Sequence, residues 1–96
     1  MLFKNCVGAP YGVDDDYLVI DDLKLHKSRV KKVIMTAMWG WFGITVVYDE
    51  GQDTLCIYDG EFYRDSPYTK DFTRDVDIFE QELKQLGIPC EQETVI

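Results

Sequence analysis

The firmest hydrophobic patterning lies in the second half of the chain. Gly43-Ile44-Thr45-Val46-Val47-Tyr48 is β-branched and aromatic, as is Thr54-Leu55-Cys56-Ile57-Tyr58. The segment between them, Asp49 to Asp53, is polar with a central glycine, so the two runs predict a β-hairpin. Asp59-Gly60 marks a further turn, after which Glu61-Phe62-Tyr63 can continue as a strand. Beyond it, Val76, Phe79, Leu83 and Leu86 recur at spacings of three, four and three, which predicts an amphipathic helix over roughly 76–86. Asp75 or Asp77 suits its N-cap, and Asp77 with Glu80 has the spacing of a capping box. Gly87 suits a left-handed C-cap, and Pro89 blocks continuation. A helix of about three turns is marginal alone, so its stripe must pack on the sheet.

Residues 17–39 carry two competing periods. As strands, Tyr17–Ile20 and Arg29–Met38 flank a polar turn near His26-Lys27-Ser28. As a helix within 21–39, Val30, Val33, Ile34, Ala37 and Met38 fall on one face, with Gly40 as C-cap and Asp21 and Asp22 near the N-terminal end. The β-branched Val30, Val33, Ile34 and Thr36 favour strands. Either way the class is α+β. The preferred form is a small antiparallel β-meander of about four strands packed by the C-terminal helix. That order of elements is similar to a bacterial pleckstrin-homology-like fold.

Ninety-six residues supply one compact domain, 1–96. Eighteen acids against 10 bases leave a net charge of -8, which argues against a nucleic-acid binder and against adsorption to an anionic membrane. Charge is blocked: residues 24–32 hold Lys24, Lys27, Arg29, Lys31 and Lys32 without an acid, in an otherwise acidic chain. The odd cysteine count (Cys6, Cys56, Cys90), without a CxxC pair, points to a reducing, cytoplasmic setting. The N-terminal residues lack a signal-peptide apolar run, and Gly40 and Gly43 interrupt the uncharged stretch Val33–Tyr48, so no membrane span is expected.

Catalytic chemistry is sparse. His26, the single histidine, lies in a lysine-rich stretch and reads as a surface residue. One histidine without paired cysteines leaves tetrahedral zinc no ligand set, so no metal or cofactor is expected. Cys56 alternates with Leu55 and Ile57 as a small core hydrophobe. Asp14-Asp15-Asp16 lacks the alternating acids and terminal glutamate of a calcium loop. The protein is therefore expected not to be an enzyme.

Two features suit recognition instead. Trp39-Gly40-Trp41-Phe42-Gly43 packs three aromatics among glycines, either as core or as contact anchors. Phe62, Tyr63 and Tyr68 sit among Asp59, Glu61, Asp65 and Asp71. The expectation is a small acidic inhibitor or partner module, bound stoichiometrically to a protein with a basic, nucleic-acid-handling surface. In size and charge the chain resembles anti-defence proteins of the anti-CRISPR kind and immunity proteins against nuclease toxins. Asp14, Asp15, Asp16, Asp59, Glu61 and Asp65 are the expected acid contacts, with Trp41 and Tyr63 as anchors. The alternative is a pleckstrin-homology-like scaffold or ligand-binding domain using the basic stripe Lys24–Lys32, with a homodimer left open.

Overall fold

A computed structural model describes residues 1–95. Residues 21–39 hold the strands Leu23–His26 and Val30–Met38 joined by a short 3₁₀ turn at Lys27–Arg29, not an α-helix. The described residues form eight strands and one α-helix, a small α+β domain. The first sheet is an antiparallel meander of short strands, β1 (Leu2–Lys4), β2 (Pro10–Asp14), β3 (Tyr17–Ile20) and β4 (Leu23–His26). The second holds β5 (Val30–Met38), β6 (Trp41–Tyr48), β7 (Gly51–Asp59) and β8 (Cys90–Thr94), in the order β7-β6-β5-β8. α1 (Phe72–Gln85) connects β7 to β8, which pairs with β5 in parallel.

Local chemistry explains the turns. β2–β3 and β3–β4 each close through two residues, Asp15-Asp16 and Asp21-Asp22. The first of each pair has positive φ, +52° at Asp15 and +56° at Asp21. Aspartate tolerates this left-handed region better than most residues. In β5, Val33 and Met35 are buried while Ile34 and Thr36 are half-buried, a period of two. The β6–β7 hairpin is longer than the sequence predicts. Tyr48 pairs with Gly51, so its turn is Asp49-Glu50 and the polar residues 51–53 are already strand. Glu61–Tyr63, in contrast, forms no strand.

The helix begins earlier than predicted, with Asp71 at its N-cap and Asp75 and Asp77 inside it. The added first turn brings Phe72 onto the apolar stripe, stacked on Tyr58 at 4.5 Å between ring centroids. Its end follows the sequence reading. Gly87, at φ +77°, donates its N–H to Lys84 O, and Ile88 donates to Leu83 O, both at 3.0 Å. That is a Schellman cap, completed by burial of Leu83 and Ile88.

One core joins Leu18 and Leu25 of the first sheet, Val33, Met35, Ile44, Val46 and Ile57 of the second, and Val76, Phe79 and Leu83 of α1. Tyr11 lies within it, its ring edge-on to Phe79 at 5.8 Å. Its hydroxyl is buried without a hydrogen-bond partner. Burial, reinforced by the charge of Asp75, pushes the phenol far above its usual pKa. An unpaired buried hydroxyl costs about 1–3 kcal/mol, so Tyr11→Phe should be neutral or stabilising by up to about 2 kcal/mol in urea melts. Below about pH 10 both folded and unfolded chains keep the proton. Above it the unfolded chain loses the proton first, so stability falls as pH rises, and Tyr11→Phe should flatten that fall. A clear loss of stability at neutral pH would show that the hydroxyl is satisfied.

Candidate functional site

The β5–β6 hairpin reverses through Trp39 and Gly40, because Met38 pairs with Trp41. Gly40 takes φ +63°, where a glycine carries no steric cost. The tight reversal leaves the Trp39 side chain without a strand neighbour, and it is 88% exposed. Gly40 O accepts from Gly60 N at 2.7 Å, which ties this turn to the loop that follows β7.

That loop is held by its own polar groups. Asp59 Oδ1 accepts from the backbone N–H of Glu61 at 2.9 Å and of Phe62 at 3.1 Å, an Asx-type turn. Ser66 Oγ donates to Cys6 O at 2.8 Å and accepts from Tyr68 N at 3.3 Å. Lys4 Nζ lies 5.5 Å from the centre of the Tyr68 ring, a cation–π contact. Pinned at both ends, the loop presents Phe62 at 76% exposure, with Tyr63 and Tyr68 also exposed. Together with Glu61, Asp65 and Cys6 they line an open groove of about 500 Å³.

Further exposed apolar side chains reach the same end. Val95 donates its N–H to Ala37 O, beside the exposed Met38, and Cys6 donates to Ile57 O, beside the exposed Val7. Linked segments thus string most of the large exposed apolar side chains of the described residues across this end, from Val7 and Tyr68 on the β7 side through Phe62, Tyr63 and Trp39 to Met38 and Val95 on the β8 side. Apolar groups concentrated this way mark an interaction surface more than scattered ones do.

Of the residues expected from sequence, Trp41, Asp59, Glu61, Tyr63 and Asp65 fall at this end, with Trp41 opposite Asp59 in the ladder. Trp41 is half-buried, its indole laid over Gly43, where an added Cβ would collide with the ring. It supports the surface, and its neighbour Trp39 projects. Asp59 shapes the loop, whereas Glu61 and Asp65 face solvent. Trp39, Phe62 and Tyr68 belong to the two aromatic groups the sequence offers for recognition, but the anchors it singles out are Trp41 and Tyr63. A Trp-Gly pair between two strand-like runs is the signal that places Trp39 at a tip.

Asp14, Asp15 and Asp16 lie elsewhere. They form the far tip of β2–β3, a strand length of roughly 15 Å from the loop that Ser66 touches. Asp14 pairs with Lys24 and Asp16 with Lys27, each at 3.4 Å. These exposed pairs stabilise little, but they cancel charge that a partner would otherwise meet.

The basic stripe is largely neutralised too. Arg29 bonds Asp49 at 3.1 Å and Glu50 at 3.3 Å, and Lys32 meets Glu91 at 3.3 Å. The hydrogen bond from Arg29 holds the Asp49 carboxyl below its usual range. Within the stripe, among the described residues, Lys31 alone has no acid within ion-pair distance.

The reactive side chains have structural tasks. His26 Nδ1 accepts from Ser28 N at 3.2 Å and caps the short 3₁₀ turn Lys27–Arg29. Burial, with the neighbouring Cys6 thiol adding, pushes the Cys56 thiol up to about 12, far from a nucleophile's range. Among the described residues no three His, Cys, Asp or Glu side chains converge as a metal-ligand set. No helix there is long and apolar enough to cross a membrane. No protein-family model matches this chain, and no curated protein matches it either.

Proposed function

We propose that this protein is a stoichiometric partner-binding module, an inhibitor in the broad sense, that docks through its aromatic end onto a basic protein surface. The observation that carries this reading is the pinned, solvent-facing set Trp39, Phe62, Tyr63 and Tyr68. Tryptophan and tyrosine dominate binding hot spots because they bury large areas with few rotatable bonds. A loop already ordered by its own hydrogen bonds loses little further freedom on docking.

Charge supplies the partner's sign. Residues 59–71 carry Asp59, Glu61, Asp65 and Asp71 against Arg64 and Lys70, within a chain of net charge -8. The local excess is modest, so the field of the whole chain steers encounter while the aromatics supply contact. Proteins whose grooves normally receive phosphate are the class such a field suits, as for anti-defence and immunity proteins. The scaffold alternative gains little support, since four of its five cations are already paired with acids.

The test begins with co-purification from the host and continues with the captured partner in solution. Association should slow by about tenfold or more between low and high salt. Glu61→Gln with Asp65→Asn should slow it further, while charge reversal at Lys31 and Lys32 should leave it intact or faster. An association rate indifferent to salt, or one lost on reversing the two lysines, would remove this reading.

A further inference from the structure

We infer that the outer edge of β8 accepts an extended, lysine- or arginine-bearing segment of a partner protein by strand addition. The inference rests on the partner-binding reading above and names the kind of segment received.

Three observations converge on this edge. The parallel ladder between β5 and β8 begins with Val33 N to Pro89 O and ends with Val95 N to Ala37 O, both at 2.9 Å. With this register the odd-numbered residues 89–95 bond to β5. The N–H and C=O groups of Cys90, Gln92 and Thr94 therefore point away from the sheet, and no described group pairs with them. The opposite edge, β7, is partly covered, because Cys6 N bonds Ile57 O and Asn5 Nδ2 bonds Cys56 O.

The second observation is a groove of about 300 Å³ between α1 and the sheet. Phe42, Phe72 and Val76 give it apolar walls, and Asp77, Glu80 and Gln92 lie at its polar side. Gln92 Nε2 reaches Glu80 at 3.1 Å, which places the groove directly beside β8. Asp77 has no ion-pair partner among the described residues. A long basic side chain suits this shape, its methylene stem against the rings and its cation toward the acids.

The third is the charge of the strand itself. Glu91 and Glu93 lie on the opposite face of the sheet, where Glu91 is shared with Lys32 and Glu93 is unpaired. An added strand alternates its side chains between the two faces, and both faces present acid. A second copy does not fit. Antiparallel pairing centred on Gln92 would set Glu91 of one chain against Glu93 of the other, like charges directly opposed. The same pair welcomes a basic strand and deters self-association.

The probe is a capped peptide of three Lys-Val repeats, added to the intact protein and followed by amide NMR. The expected result is saturable binding with a dissociation constant below about 1 mM, with shifted signals and slowed exchange at Cys90, Gln92 and Thr94. The corresponding Glu-Val peptide should leave them unchanged. Gln92→Pro deletes an outward-facing N–H without removing a bond to β5, and it should weaken the peptide at least about tenfold. Should that variant fail to fold, Glu93→Lys provides the same test through charge. Binding that ignores both substitutions, or shifts confined to residues away from β8, would overturn strand addition. If the captured partner still depends on Trp39 and Phe62 in that event, the partner-binding function stands while its mode at β8 falls.

Discussion

Phe79→Ala is expected to remove about 3–5 kcal/mol of folding stability, the loss typical of emptying a fully buried aromatic site. Phe79 is 1% exposed, projects from the middle of α1 and meets Tyr11 of the first sheet edge-on. It also belongs to the same core as Met35 and Ile44 of the second sheet. Collapse around the gap is restricted because both sheets border it. A domain of this size has about 5–15 kcal/mol of stability in all, so the variant should be partly unfolded at moderate temperature. Urea melts should show a lower midpoint with little change in slope. A loss under about 1 kcal/mol would mean that Phe79 does not join the three elements as described.

Trp39→Ala and Phe62→Ala should act in the opposite sense, leaving stability within about 0.5 kcal/mol and weakening the partner complex. Each side chain is mostly exposed, so truncation opens no cavity. As central anchors, each should cost about 2 kcal/mol of binding, roughly thirtyfold in dissociation constant. The effect should fall mainly on the dissociation rate, since removing an apolar anchor leaves the long-range field unchanged. Trp41→Ala serves as the contrast. Its indole covers Gly43 within the fold, so its loss should register in the melt as well as in binding. Calorimetric titration of both exposed variants settles the matter, and unaltered affinity in each would dismiss the aromatic end as the docking surface.

Much of this architecture was legible in the residue pattern where local chemistry and packing agree. Thr45 and Val46 stand in a β-branched run bounded by turn residues, and Gly87 with Pro89 closes an unmistakable apolar stripe. The start of α1 was less legible because Asp75 and Asp77 look like caps, yet Phe72 extends the stripe by another turn. β8 was missed for a different reason. Cys90-Glu91-Gln92-Glu93-Thr94 has almost no apolar content, and it is a strand because β5 offers it a ladder. In the first sheet β3, Tyr17–Ile20, was legible with its observed bounds, whereas β1, β2 and β4, of three to five residues, are too short for alternation to declare itself.

The site was legible by composition and not by geometry. Acid and aromatic clusters are visible in the string, but nothing there says that Asp14 and Asp65 lie at different places. Only pairing does so: β2 carries Asp14 away from the loop at Cys6, while Gly40 brings Trp39 to Gly60. Trp39 and Trp41 likewise differ by two residues in sequence and by a tip position in space.

The late arrival of β8 has a consequence for biosynthesis. Its partner β5 is complete by Met38, and β6 covers one side of that strand at once. The other side waits until residues 90–94 emerge from the ribosome, when the helical crossover can deliver them. During that interval a nascent chain displays the nine-residue border of β5, rich in valine, isoleucine and methionine, to neighbouring chains. Docking of β8 therefore closes an aggregation-prone border that β5 and β6 alone leave open.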